Sequence, residues 1–390
     1  MKKIFLVILA ALSLLALTAC SQKDNPAETR IIATKKLLKK GKIKIAITGQ
    51  WSSQNGIFIW QGAKLAADEI NKAGGVLGAQ IELLRFEDNN KVSQGAEVAG
   101  KITEDPEICA VIGHYSSSVS LFNSVLYHYY GILMLTPFST NTTLTKQGLP
   151  YVLRNIPDNN MFAREAVRFC ERQNWNRVMA LYLNNYYCRE LLDSFEQYCG
   201  ERGVIVPDRV GYEDVYSLKN YTEIATKWKN NYEFDAIFIA GFLPQAAEIV
   251  SIFRSEGINC PIIGSIDFDA PIFFSVGDCK NENNFYCVSN YDPNSKYKPF
   301  REFKDAFIAE YKGEPNWEAC QAYDAVKVLS TAIQKAGSVQ PDAVADALKS
   351  EKQWNEAAGP YRFNKNGEIG KLLFFKKSEG GEFKIFEEQK

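Results

Sequence analysis

The sequence predicts an α/β protein made of two doubly wound, Rossmann-like lobes joined by a multi-strand hinge. Three observations carry this. From residue 42 onward short apolar strands alternate with amphipathic helices, the pattern of parallel sheets assembled from βαβ units. At 390 residues the chain exceeds what one hydrophobic core usually organises. Finally, the alternation comes as two successive series, and a further helix-rich stretch follows them that must return to one of the sheets.

Ile43, Ile45 and Ile47 alternate in the first strand, and Ile59, Ala63, Ala66 and Ile70 then recur at helical spacing up to Gly74-Gly75, which suits a helix C-terminus. The same reading gives a strand over 81–86, a helix near 94–103, a strand over 109–112, a helix from about 118 to 130 and a strand over 132–135. After Tyr151-Val152-Leu153-Arg154 the second series predicts helices over 161–173, 187–199 and 245–256, with strands over 177–183, 236–240 and 261–266. Helices over 300–311 and 319–336 and short strands over 360–363 and 372–376 complete the chain. The expected division is a first lobe of 42–155 plus 289–360 and a second of 156–288 plus 361–390. Several crossings side by side make a hinge, and the cleft between such lobes receives strand C-termini and helix N-termini.

Composition narrows the function classes. Hydrophobic residues at 46% with charged residues at 23% fit a folded, largely soluble chain. Lys+Arg number 45 against Asp+Glu 46, so a broad nucleic-acid surface has no compositional support. Two histidines, His114 and His128, leave little material for a zinc site or a catalytic triad. No P-loop, G-x-G-x-x-G fingerprint or G-x-S-x-G elbow appears, so neither an enzyme nor a cofactor is expected. His114, alone at a strand end, reads as a hydrogen-bonded structural residue.

At the amino terminus Lys2 and Lys3 precede an apolar run from Ile4 to Leu17, shorter than the roughly 20 residues a membrane-crossing helix needs. The run reads as a signal peptide over 1–19, and its end, Leu17-Thr18-Ala19-Cys20, resembles the lipobox of bacterial lipoproteins. That resemblance implies cleavage before Cys20, acylation of its sulfur and amine, and a membrane anchor. Ser21 leans toward the outer membrane in a Gram-negative cell, and the overall expectation is a periplasmic or cell-surface protein. Cleavage removes two of the 45 basic residues and none of the 46 acidic ones, leaving a formal charge of −3. Residues 20–41, with Pro26 and the basic cluster Lys35 to Lys40, are expected to form a lipidated tether outside the fold. Export permits disulfides among the remaining cysteines; Cys279 with Cys287 is the best candidate pair and Cys170 with Cys199 the second, while Cys109 and Cys320 read as buried free thiols.

Chemistry concentrates at two strand-to-helix corners. In Gly113-His114-Tyr115-Ser116-Ser117-Ser118 and again in Thr136-Pro137-Phe138-Ser139-Thr140-Asn141, hydroxyls and free amides gather at the positive ends of helices. Each corner alone reads as ordinary capping; paired in successive βα units they can hold a carboxylate without any arginine.

These segments, together with Gly62 to Gly78 (GAKLAADEINKAGGVLG), Glu87-Asp88, Tyr151 to Arg154 and Ala322-Tyr323-Asp324-Ala325, resemble the leucine/isoleucine/valine-binding family of ABC-transporter solute receptors over about residues 42–365. The resemblance implies the type I periplasmic binding protein fold and a monomer that closes on an amino acid or related small acid and delivers it to a membrane permease. It implies that Ser117 and Thr140 hold the ligand carboxylate, with Ser116 and Ser139 beside them. Phe138 would offer backbone polar groups and Tyr115 an apolar wall. In the second lobe Tyr187 and Phe242 match aromatics that close over the ligand, although Cys188 replaces the glycine that normally follows Tyr187, and Phe242 reads equally well as core.

The acid that family members use for the ammonium is displaced here. In Gly264-Ser265-Ile266-Asp267-Phe268-Asp269-Ala270-Pro271 the family position holds Ile266, and Asp267 stands one residue late. Adjacent residues of an extended segment face opposite ways, so three alternatives remain open: Asp267 pairs with an ammonium, the ligand is a plain carboxylate, or Asp267 caps a helix. Trp51 and Asn55 are expected to line the pocket where relatives carry a proline-bearing loop. Glu318 stands where relatives often place Tyr or Phe, either meeting a polar or cationic ligand group or pointing into solvent. The rival readings are a ligand-sensing receptor component of the same fold and, less favoured, an enzyme on this scaffold.

Overall fold

The structure, a computed structural model, describes residues 25–213 and 218–388. The expected signal peptide, Cys20 and Ser21 lie outside the described residues. Among the described residues no helix is long and apolar enough to cross a membrane.

The chain enters through a helix where a tether was expected. Helix α1 (Pro26–Lys39) starts with Asn25 capping the Ala27 amide and proline in its first turn, where a missing N–H costs nothing. It is held less by apolar packing than by Arg30, which is 2% exposed and donates to the carbonyls of Thr103, Asp105, Ile108 and Tyr130 at 2.7–2.9 Å. Those carbonyls lie at or just beyond the ends of two helices, where unpaired acceptors and the dipole both favour a cation. Burial nonetheless lowers the Arg30 guanidinium to about 10. Pro26 and the lysines look like linker, yet the proline opens the helix and Lys35, Lys36, Lys39 and Lys40 occupy its exposed face.

The first sheet is parallel, in the order β2-β1-β3-β4-β5: β1 (Lys42–Gly49), β2 (Gln80–Glu87), β3 (Ile108–Ile112), β4 (Leu133–Thr136) and β5 (Val152–Arg154). Helices α2 (Gln54–Lys72), α3 (Val92–Glu104) and α4 (Ser117–Tyr129) connect its strands, and the short α5 (Thr143–Lys146) follows β4. The central strands carry apolar side chains on both faces, as a sheet covered on both sides requires.

After α6 (Asn159–Arg172) the second sheet follows. Its parallel strands are β6 (Val178–Leu183), β7 (Arg209–Tyr212), β8 (Ala236–Ala240), β9 (Ile262–Gly264) and β10 (Phe285–Ser289), with helices α7 (Tyr186–Arg202), α8 (Leu218–Asn231) and α9 (Gln245–Ser255) between them. Strands β7 and β10 and helix α8 were not anticipated.

Helices α10 (Lys298–Tyr311) and α11 (Trp317–Ala336) then return to α2 of the first lobe. The approach of α11 to α2 is close enough that a Cβ on Gly62 would lie 2.0 Å from the Ala319 carbonyl, so only glycine fits there. Helix α12 (Pro341–Ser350) precedes a small sheet of β11 (Trp354–Glu356), β12 (Gly359–Phe363) and β13 (Ile369–Gly370). Strand β14 (Phe374–Glu379) pairs antiparallel with β10, and β15 (Glu382–Glu388) pairs antiparallel with β14 at the sheet edge. The chain thus passes between the lobes after β5, after β10 and after β13, the middle return being made by helices and the small sheet and not by a strand of the first sheet. Residue 360, the boundary expected from the sequence, falls inside β12, and the last crossing comes between 370 and 374.

The cysteine pairing expected from the sequence is not formed. The eight described cysteines are free thiols. Cys279 sits in a 3-10 turn, where its Sγ meets the Ala247 carbonyl at 3.2 Å, while Cys287 is inside β10; the intervening residues join a turn to a strand, not two paired strands. Cys170 and Cys199 are likewise separately buried in α6 and α7. Cys109 and Cys320 are buried thiols, and burial pushes Cys109 up to about 12.

Candidate functional site: an interlobe cleft

The two hydroxyl-bearing corners are stitched side by side in the first lobe. The hydroxyls of Ser120, Thr136 and Ser139 each lie 3.1 Å from the His114 carbonyl, which accepts from Thr136 and from one of the serines while the other serine donates to its neighbour. Ser139 therefore spends its hydroxyl beneath the corner. The backbone needs room here: Gly113 has φ +142°, and a Cβ on it would meet the Thr48 hydroxyl at 1.9 Å. His114 is fully buried with its Nδ1 at 2.5 Å from Asp88 and its Nε2 at 2.9 Å from the Tyr127 hydroxyl. Both ring nitrogens are engaged, so the imidazole is a structural post.

Above this layer lie the ligand candidates. Ser117 opens α4 and is buried; Ser116, at the N-cap, makes no capping bond through its side chain. Thr140 is 3% exposed, and its hydroxyl has no hydrogen-bond partner. Its loop is fixed from below by Arg154, which is fully buried and donates to the carbonyls of Ser139 (3.3 Å) and Asn141 (2.6 Å) and to the Thr145 hydroxyl (2.6 Å). Tyr115 packs on Phe138 at 5.3 Å between ring centroids, and Phe138 meets Trp317 edge-on at 6.2 Å. Asn55 reaches the Tyr115 hydroxyl at 3.5 Å. Trp51 is placed differently from the others: its ring lies against Trp60 and under the Arg85 guanidinium, and its indole N–H is buried without a partner.

The second lobe faces this corner with aromatics and acids. Tyr187 and Phe242 pack at 5.5 Å. The register slip at Ile266 resolves through a 3-10 turn over Ile266–Phe268, not an extended segment. Ile266 goes to the core, and Asp267 turns toward Tyr187. The hydroxyls of Tyr187 (2.7 Å) and Ser265 (3.1 Å) both donate to Asp267 Oδ2. Burial pushes the Asp267 carboxyl up to about 6 against these bonds. Glu318, near the N-terminus of α11, is 2% exposed, and its Oε2 has no partner. Burial pushes it up to about 8, partly offset by a bond from its own amide, with the charges of Asp267 and Asp269 adding to the rise. Burial and then the charges of Asp267 and Glu318 hold the Tyr115 phenol well above its ordinary range.

The lobes touch beside this corner. Glu190 of α7 accepts from the Thr142 amide (3.0 Å) and hydroxyl (2.5 Å) and is also bonded by Asn159, and α4 touches α7. Neither Glu190 nor Arg154 stood out from the sequence as a site residue. The sequence cues for Arg154 are its place in a segment that resembles the family and a lone cation ending an apolar strand.

Among the described residues there is no cluster of three or more metal-ligating side chains. A family model described as "Periplasmic binding protein" matches residues 42–381. A Leu/Ile/Val-binding protein of Rhizobium johnstonii is 28% identical over 317 residues, covering 80% of this chain and 84% of that protein. A leucine-, isoleucine-, valine-, threonine- and alanine-binding protein of Pseudomonas aeruginosa is 26% identical over 338 residues, covering 85% and 88%. Among solved structures, an ABC transporter substrate-binding protein from Desulfitobacterium hafniense in complex with Leu superposes with a TM-score of 0.79 at 29% identity, covering 88% of this chain and 100% of that one. With two lobes, three crossings and hydroxyl, aromatic and acidic groups meeting in the cleft, the chain belongs to the periplasmic binding protein family.

Proposed function

We propose that this protein is the extracytoplasmic solute-binding component of an ABC transporter, that it captures an α-amino acid between its closing lobes, and that it delivers the ligand to a permease. In this reading the carboxylate lies against Ser117, the free Thr140 hydroxyl and the amides at the start of α4. The α-ammonium meets Asp267, and Tyr115, Phe138, Tyr187 and Phe242 enclose the rest. The observations that carry it are Asp267, held by two neutral donors on one oxygen with no cation beside it, and the buried Thr140 hydroxyl, which has no partner. A buried carboxylate without a cation and a hydroxyl without a partner are both costly in isolation, and a zwitterion offsets both. Closure is then driven by contacts that exist only in the closed state. Cys20 and the lipobox-like stretch before it support a lipid anchor, with Ser21 favouring the outer membrane.

Thermal-shift screening with amino acids, plain organic acids and aromatic acids tests this. A ligand at 100-fold its Kd should stabilise the protein by about 2.7 kcal/mol. Stabilisation by α-amino acids and not by their amine-free analogues is the expected result; the reverse order removes Asp267 as an ammonium partner.

A further inference from the structure

The cleft holds two carboxyls, Asp267 and Glu318, that no cation of the described residues meets. The neighbouring acid Asp269 is neutralised inside the protein by Lys376 at 2.6 Å, with the Ser289 hydroxyl also donating to it at 2.5 Å. Asp267 and Glu318 have no such partner: among the described residues no ion pair includes either of them. Asp267 has two neutral hydroxyl donors, and Glu318 has its own amide on the carboxylate and a buried, unpartnered Oε2. Glu318 is positioned by the fold, not stranded by it. Asn316 caps the Ala319 amide to start α11, which places Glu318 in the helix's first turn beside Trp317, the residue that packs on Phe138 against Tyr115. A carboxylate 2% exposed and bonded on one side only is stable when a cation or strong donor arrives to meet it.

We propose that the side-chain subsite of the cleft is built for a cationic group: the ligand is an α-amino acid bearing a second amine or a guanidinium, its α-ammonium on Asp267 and its side-chain cation on Glu318. This rests on the amino-acid reading above and narrows its ligand class. An aliphatic side chain would bury the Glu318 carboxyl against hydrocarbon and leave its free oxygen unmet. Two cations on one ligand match the two unpaired acids, and charge-assisted bonds to a carboxylate discriminate strongly against an isostere that lacks the donor.

Calorimetric titration of the purified full-length protein with L-lysine, L-ornithine and L-arginine, set against L-norleucine and L-leucine, tests the proposal, because norleucine is lysine without its side-chain amine. The expected result is that at least one dibasic amino acid binds about 10- to 100-fold more tightly than norleucine. E318Q should remove most of that preference, and E318L should bind norleucine or leucine more tightly than wild type does, a gain that a merely damaged fold cannot give. Wild-type binding of leucine or norleucine equal to or tighter than that of the dibasic ligands overturns the inference and leaves the amino-acid reading standing. Failure of every α-amino acid to bind overturns both. Equal loss of dibasic and aliphatic ligands in E318Q, with its melting temperature unchanged, overturns the assignment of Glu318 to the side chain.

Discussion

The two walls of the cleft solve recognition by opposite means. Apart from the Glu318 carboxyl of α11, the first lobe offers neutral donors, the Ser117 and Thr140 hydroxyls and helix-terminal amides, on corners fixed by hydrogen bonds around the His114 carbonyl and Arg154. The second lobe offers an ionisable acid, Asp267, held by only two side-chain hydroxyls, with aromatic rings around it. Donor dipoles that are already ordered bind an anion without adding a buried charge, whereas a carboxylate in a low-dielectric cleft is unstable until its partner arrives. In the proposed reading the lobes divide the labour: the first positions a carboxylate, and the second rewards closure when the ligand brings a cation.

The largest expected effect comes from breaking the first wall at its base. Arg154→Met removes the donors of two buried carbonyls and a buried threonine hydroxyl, and should cost about 2–4 kcal/mol in urea denaturation while weakening every carboxylate ligand. Next is the second wall. Asp267→Asn should weaken α-amino acids by about 10- to 100-fold and leave their amine-free analogues nearly unchanged in calorimetry. A uniform loss across both ligand classes would show that Asp267 shapes the cleft without meeting an ammonium.

The same contrast has a pH signature. The folded pKa of Asp267, about 6, is above its ordinary 3.8, so its cost to the ligand-free fold is absent below about pH 4 and complete above about pH 6. An ammonium partner favours the ionised form, so affinity for amino acids should fall as pH drops from 7 through 6 to 5. Amine-free acids should show no such fall, and Asp267→Asn should abolish it. The smallest effects belong to single donors of the first wall. Ser117→Ala and Thr140→Val should each weaken all carboxylate ligands by about 2- to 10-fold, because neighbouring amides remain.

Much of this architecture was legible in the sequence because strand and helix periods are strong signals wherever both faces of a sheet are covered. The alternating isoleucines of β1 and the Ala63, Ala66 spacing of α2 are of this kind. Helix α1 was not legible, since its anchor is a single arginine binding carbonyls far along the chain and its remaining surface is as polar as a linker. Strand β7, short and only partly buried, lacks the apolar run that marked β6 and β8. At the site, hydroxyl-rich corners announced themselves by composition, but which hydroxyl stays free did not: Ser139 and Thr140 are neighbours, and only the three-dimensional position of the His114 carbonyl separates their fates. Asp267 was ambiguous because extended alternation was assumed where the backbone makes a 3-10 turn. Glu190 links the lobes through contacts that no local pattern encodes.

A crystal structure of the protein with a bound α-amino acid decides how the cleft holds its ligand. The ligand carboxylate is expected on Ser117 and Thr140 and its ammonium on Asp267, with both lobes in contact. A ligand held by one lobe alone, or one whose ammonium lies away from Asp267, would contradict that assignment.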